Sequence, residues 1–250
     1  MSPDAPPPGT SQGDPADPVA ENARLAAKVA FLENKLQLVG SITRHDVLNQ
    51  LTAIVGYNEL LSMIIQDPKQ KSFLEKERFA IDKIRRQFQF AKDYQNIAVE
   101  PPRWQNIRNL VLRVCEDFDL KGVRVTAETG AAAILADPHL DTVFHHIMEN
   151  ALVHGKTTSE IRISVQGDEH DGGLLVFEND GEGIPAEEKP KIFERGYGNG
   201  IGWGLFLSRD LLAATGMTIR ETGDPLKGVR FEIILPAGSF RPLGNDTVQK

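Results

Sequence analysis

Between about Glu21 and Gln66 the chain carries no proline, and Leu25, Val29, Leu32, Leu36 and Val39 recur at steps of three and four residues. Ile42, Leu48, Leu51, Ile54, Val55 and Leu61 continue the pattern. This spacing predicts one long amphipathic helix. A helix of that length cannot bury an apolar stripe against itself, so it needs partner helices. Asp67-Pro68 ends it, because the residue before a proline is pushed out of the helical region. A second helical pattern runs from about Gln70 to Ile97, with Phe73, Leu74, Phe79, Ile81, Ile84, Phe88 and Tyr94 as its apolar residues. Two long helices joined by a short turn make an antiparallel hairpin, and two such hairpins complete a four-helix bundle. The periodicity therefore predicts a homodimer.

Pro101-Pro102 marks a change of text. Beyond it strand-like runs (123–126, 133–135, 160–165, 174–178, 218–221 and 229–235) alternate with helical patterns at about 105–118, 138–154, 186–194 and 203–215. The alternation predicts an α/β sandwich, with helices covering one sheet. The fold class is thus α+β in two domains: a helical hairpin over 21–99 and a sandwich over 104–238. Residues 1–20, rich in proline and poor in large apolar side chains, read as a disordered tail, too short and polar for a sensing domain. Residues 239–250 read as a second tail.

The charge balance of 28 basic against 35 acidic residues gives −7, which argues against a nucleic-acid binder. One cysteine, Cys115, forms no internal disulfide and fits a reducing cytoplasm, where it reads as a small apolar residue on a helix face. No window is long and apolar enough for a membrane span, and the N-terminus lacks the pattern of a signal peptide.

Three clusters carry chemistry. His45 lies mid-way along the first helix with Asp46 beside it and Asn49 four residues on, on the same face. A nucleophilic imidazole needs one nitrogen free and the other held by an acceptor, which Asp46 supplies. Asn150 sits in the helical stretch DTVFHHIMENALVHG. Asn disfavours helix interiors, and its amide oxygen is a hard ligand suited to Mg²⁺. His145, His146 and His154 in the same stretch invite a zinc reading, but no third ligand stands at a recognised spacing. The third cluster is glycine-rich: ENDGEGIP at 178–185, then IFERGYGNGIGWGLFLSRDLL at 192–212. Gly202 and Gly204 fall where a loop turns into a helix, whose free amides and dipole favour phosphate. GNGIGWG does not follow a strand within a βαβ unit, so it is no dinucleotide fingerprint.

Taken in this order, the clusters resemble the histidine kinases of two-component signalling across about 36–237. His45-Asp46 with Asn49 looks like the phosphoacceptor box, and Asn150 in ENALVHG like the N box. Asn179-Asp180-Gly181-Glu182-Gly183 looks like the first glycine box, and Phe193 in KIFERGYG like the F box. Gly200, Gly202 and Gly204 look like the second glycine box, and Gly228 like the final glycine turn. The resemblance implies a dimeric helical bundle bearing the histidine, followed by an ATP-binding sandwich of the GHKL (Bergerat) type. It implies ATP and Mg²⁺, with Asn150 holding the metal. Gly181 and Gly183 would line the adenine pocket, and Gly202 and Gly204 would back the phosphates. His154, Asn179, Asp180, Phe193 and Gly200 would complete the nucleotide site. His45 would attack the γ-phosphate with Asp46 as its base, and a hinge near 98–104 would let the two domains meet. Asn49 would position water or the acceptor when the phosphoryl group is removed. The implied partners are a response regulator receiver domain, a second copy of the chain, and an upstream sensor protein acting through the helix ahead of His45.

Two departures stand out. The first glycine box usually opens with Asp, whose carboxylate accepts from the adenine amine. Here Asn179 occupies that place, and its amide carbonyl is an acceptor without the charge. One turn before Asn150 the family often has another Asn, and ATP-hydrolysing relatives have Glu; this chain has His146. That favours self-phosphorylation over free ATP hydrolysis. The competing reading is a pseudokinase, a dimeric scaffold that docks a response regulator.

Overall fold

A computed structural model describes residues 18–120, 122–168, 170–198 and 202–243. The chain falls into two compact units, one ending at Gln50 and one beginning at Leu51. The division lies inside a helix, not at the diproline.

Helix α1 spans Pro18–Ile64 and α2 spans Pro68–Asn96. Pro68 opens α2 at its first turn, where a missing N–H costs nothing, and the Asp67 carboxylate caps it by accepting from the Gln70 amide at 2.9 Å. In the first unit, Leu25, Leu32, Leu36 and Val39 of α1 are exposed. So are Phe31 and Leu38, which at about 100° per residue lie across the helix from that stripe. The apolar surface of this segment is broader than one seam. In the second unit, the end of α1 is fastened to α2 by buried Asn58, whose amide donates to Leu74 O and Glu77 Oε2, each at 3.1 Å. Among the described residues no helix is long and apolar enough to cross a membrane.

The sandwich contains β1 (Arg103–Asn106), α3 (Ile107–Glu116), β2 (Arg124–Glu128), β3 (Ala132–Ala136) and α4 (Leu140–Glu149). A π-helical turn over Asn150–His154 continues α4. Then come β4 (Glu160–Asp168), β5 (Gly172–Asn179), a 3-10 turn (Lys191–Phe193), α5 (Gly204–Ala213), β6 (Thr218–Glu221), β7 (Val229–Leu235) and β8 (Phe240–Pro242). Two sheets form where one was expected. Five strands run β2-β4-β5-β7-β6, parallel only between β2 and β4, and three run antiparallel as β1-β3-β8. The expected tail from residue 239 begins inside this second sheet: Ile134 pairs with Phe240, whose ring is buried. The expected helix over 186–194 reduces to the 3-10 turn, because Pro190 interrupts it.

The core lies between the five-stranded sheet and helices α3, α4 and α5, with Phe144 packed edge-on against Phe177 at 4.9 Å. Cys115 packs against this core, and burial raises its thiol pKa. The segment expected as a hinge is tied down at its start: Ala98, at φ +58°, donates its N–H to buried Asp137 at 2.9 Å.

Candidate functional site

The His45 cluster belongs to the first unit. His45 is exposed; its Nδ1 lies 3.2 Å from Asp46 Oδ1, and the Asn49 amide nitrogen is 3.3 Å from both ring nitrogens. With Asp46 accepting from Nδ1–H, the imidazole keeps its lone pair on Nε2. All three expected residues are thus brought together, with the Asn49 amide within donating distance of Nε2.

The second unit contains an open cleft of about 1130 Å³. One wall is α4 and its π turn, with His145, His146, Asn150 and His154. The glycine turn leading into α5 lines the cleft as well, with Gly198, Gly202, Trp203 and Gly204. At Gly202, φ is +66° and an added Cβ would stand 2.4 Å from Tyr197 O. Only glycine lets the backbone fold back so closely. Trp203 precedes α5 without a side-chain cap hydrogen bond, so no cap side chain covers the amides of the first turn. Those amides and the helix dipole suit an anion such as a phosphate. Asn150, which lines the same cleft, offers an amide oxygen, a donor that fits Mg²⁺ alongside such an anion.

The first glycine turn does other work. Asn179 Oδ1 accepts from the Gly181 amide at 3.0 Å. Asp180 turns away and accepts from the Ser159 hydroxyl and from the amides of Ser159 and Glu160 at 2.8 and 2.9 Å. A Cβ on Gly181 would stand 2.6 Å from Gly155 O, and one on Gly183 would stand 2.4 Å from Pro225 O. Both glycines are needed for backbone packing. Gly181 seats the loop on the turn that follows Asn150, and Gly183 seats it against the loop before β7. Asn179 and Asp180 border a smaller cleft of about 340 Å³, and neither they nor Gly181, Gly183 or Phe193 line the larger one. Phe193 is a core side chain, 6.3 Å from the Phe231 ring centroid. Gly200 lies outside the described residues.

Several cleft residues had no signal in the sequence. Arg86, Gln89, Phe90 and Asp93 of α2 line it. Phe90 packs on Trp203 at 4.4 Å, and Tyr94 donates its hydroxyl to Asp210 at 3.2 Å. Burial, then the Asp210 charge, raises the Tyr94 pKa. His146 is part-buried; its Nδ1 lies 3.1 Å from Ser208 Oγ. Burial, with His145 adding to it, lowers the His146 pKa to about 4, so the ring is neutral. Among the described residues no group of three or more His, Cys, Asp or Glu is placed to hold a metal ion.

A family model for histidine kinase-, DNA gyrase B-, and HSP90-like ATPases matches residues 136–239. The chain is 28% identical over 243 residues to the signal transduction histidine-protein kinase AtoS of Escherichia coli, an alignment taking 91% of this chain and 38% of that protein. It is 31% identical over 135 residues to the signal transduction histidine-protein kinase AfsQ2 of Streptomyces coelicolor, 51% of this chain and 25% of that one. It therefore spans well under half the length of either relative. Among solved structures, full-length ShkA in complex with AMPPNP matches with a TM-score of 0.59 at 20% identity, over 82% of this chain and 47% of that one. The histidine kinase AdeS of Acinetobacter baumannii matches at 0.51 and 16% identity, over 76% and 96%. At these identities the structural likeness is one of fold.

Proposed function

From a chain that belongs to the sensor histidine kinases, with residues 136–239 in the histidine kinase-, DNA gyrase B-, and HSP90-like ATPase family, we propose an ATP-dependent protein-histidine kinase that phosphorylates its own His45. The observation that carries this reading is that one chain holds both a helical His–Asp–Asn cluster and an anion-suited cleft lined by Asn150.

ATP binds in the cleft with its phosphates at the start of α5. The α5 amides, with Gly202 and Gly204 allowing close approach, orient the γ-phosphoryl group. Asn150 holds Mg²⁺, which when bound neutralises phosphate charge. His45 Nε2 attacks the γ-phosphorus, forming a P–N bond as the bond to the β-phosphate oxygen breaks and ADP leaves. Asp46, at Nδ1, takes up the positive charge that develops on the ring. Catalysis is mostly alignment and charge neutralisation.

The phosphoryl group then passes to an aspartate of a response regulator, and Asn49 serves its removal as a phosphatase residue. The chain acts as a homodimer in the cytoplasm, with 21–99 as the dimerisation and phosphoacceptor domain and 104–238 as the ATP-binding domain. Input arrives from an upstream sensor protein through α1 ahead of His45. The exposed leucines of α1 support a helical partner there.

A second reading, a nucleotide-binding or empty scaffold, is favoured by one observation: the position that should offer the adenine a carboxylate is Asn179, and its oxygen already accepts from Gly181. Incubation with Mg²⁺ and γ-³²P-ATP beside His45→Gln separates the two. Acid-labile, base-stable label on wild type alone supports the kinase. Label on both proteins moves the acceptor elsewhere. No label on either folded protein makes the scaffold the better reading, and Asn179→Asp is then the variant to try.

A further inference from the structure

His146 occupies the helical turn before Asn150, four residues ahead and so on the same face. Its protonation pattern follows from its neighbours. Ser208 has one hydroxyl hydrogen and gives it to Gly204 O at 2.9 Å. Toward His146 Nδ1, 3.1 Å away, the same oxygen therefore accepts, so Nδ1 carries the ring proton. Nε2 is left with a bare lone pair and no hydrogen-bond partner among the described residues. The ring is also wedged against the start of α5: a Cβ on Gly204 would meet His146 Cγ and Cδ2 at 3.2 Å. Nε2, bonded to Cδ2, therefore lies beside the end of α5 at which an anion is expected. A lone pair and a phosphate oxygen repel unless a proton or a cation stands between them. The ring proton is already held at Nδ1, and Asn150, which lines the same cleft, is the donor suited to a cation.

We propose that the divalent cation accompanying the nucleotide takes two protein ligands, the Asn150 side-chain oxygen and His146 Nε2, so that the chain prefers nitrogen-accepting ions in the order Co²⁺, Mn²⁺, Mg²⁺. The inference rests on the nucleotide-binding reading above. Mg²⁺ demands oxygen ligands and gains little from imidazole, whereas affinity for a nitrogen-containing site rises from Mn²⁺ to Co²⁺. The Ser208–Gly204 relay makes His146 a fixed ligand, since the hydrogen bond at Nδ1 selects the tautomer and orients the ring.

The test uses the full chain with Mn²⁺ and a non-hydrolysable ATP analogue, after nucleotide binding has been measured separately. Pulsed EPR on the bound Mn²⁺ should show the ¹⁴N coupling of a directly coordinated imidazole. The coupling should vanish in His146→Asn, which returns an oxygen donor, and survive in His145→Gln and His154→Gln, the other cleft histidines. Displacing Mn²⁺ from wild type should take about tenfold more Mg²⁺ than from His146→Asn. Bound nucleotide without ¹⁴N coupling, or coupling that persists in His146→Asn, overturns the inference and leaves the kinase reading standing. Absence of nucleotide binding with every metal overturns both. Should His146→Asn fail to fold, coupling that survives in both other histidine variants assigns it to His146, and coupling lost in either one overturns the assignment.

Discussion

In the sandwich Phe144, Phe177 and Phe231 are at most 2% exposed, whereas Leu32, Leu36 and Val39 of α1 are 51%, 64% and 57% exposed. The sandwich core finds its apolar partners within one chain. The helix before Gln50 keeps its stripe exposed, and apolar residues across its other face, such as Phe31 and Leu38, are exposed as well. A segment built this way has its stability set by association, while the sandwich has its stability set by packing. The chemistry divides along the same line. His45 needs only its own helix to hold Asp46 and Asn49 in place, whereas the cleft draws residues from α2, α4 and α5. The contrast predicts that damage to one region will leave the other measurable.

The largest effect is expected at Phe144, fully buried against Phe177. Phe144→Ala should cost about 3–5 kcal/mol, read from urea midpoints of the nucleotide-protected transition. Dimer affinity should not move. A variant that also dissociates would show that the two regions fold as one cooperative body.

Leu36→Ala is the converse. If the α1 leucines meet a second copy, partial burial in each copy suggests a loss of about 2 kcal/mol, a roughly thirty-fold weaker dimer by sedimentation. Nucleotide binding should stay as in wild type. An unchanged dimer would move the interface to other α1 residues.

How much of this was legible in the sequence depended on where the signal lay. Strands β6 and β7 lie over 218–221 and 229–235, as read from local apolar runs whose neighbours reinforce them. The sequence does not reveal β1, because Arg-Trp-Gln-Asn has no alternation and only its antiparallel partner β3 makes it a strand. β8 reads as a tail in the sequence because three residues ending in proline look like an end, though Phe240 fills the core. At the site, the glycine spacing revealed the turns but not their tasks: Gly181 and Gly183 answer to Gly155 and Pro225, far away in sequence. The contributions of Phe90 from α2, and of Ser208 to His146, depend wholly on tertiary contact.

Asn58 marks where the helical hairpin begins to hold itself together. Its buried amide makes two bonds to α2, and Asn58→Leu should cost about 1.5 kcal/mol by stranding Leu74 O and Glu77. Melting should shift, while the exposed leucines ahead of Gln50 should keep their contribution to association. Equal losses in melting and dimer affinity would mean that association depends on the hairpin's own closure.

The smallest effect is also the most diagnostic. Asp180 is exposed, yet its carboxylate clamps the end of β5 to the start of β4 through Ser159 and Glu160. Burial pushes its pKa up, but the Ser159 hydroxyl and the Glu160 and Ser159 amides outweigh that and hold it below the ordinary carboxylate value. A depressed folded pKa means that the unfolded chain binds the proton more readily. The stabilisation is therefore complete above the unfolded carboxyl range, near ~3.9, and disappears as pH falls through the folded value. Discounted for solvent screening, Asp180→Asn should cost about 1 kcal/mol at neutral pH. The gap between wild type and variant should close on acidification below about pH 4, measured as paired urea midpoints. A gap that stayed constant with pH would assign the loss to geometry, not charge. Leu36→Ala, which removes no titrating group, should differ from wild type by the same amount at every pH at which both dimerise.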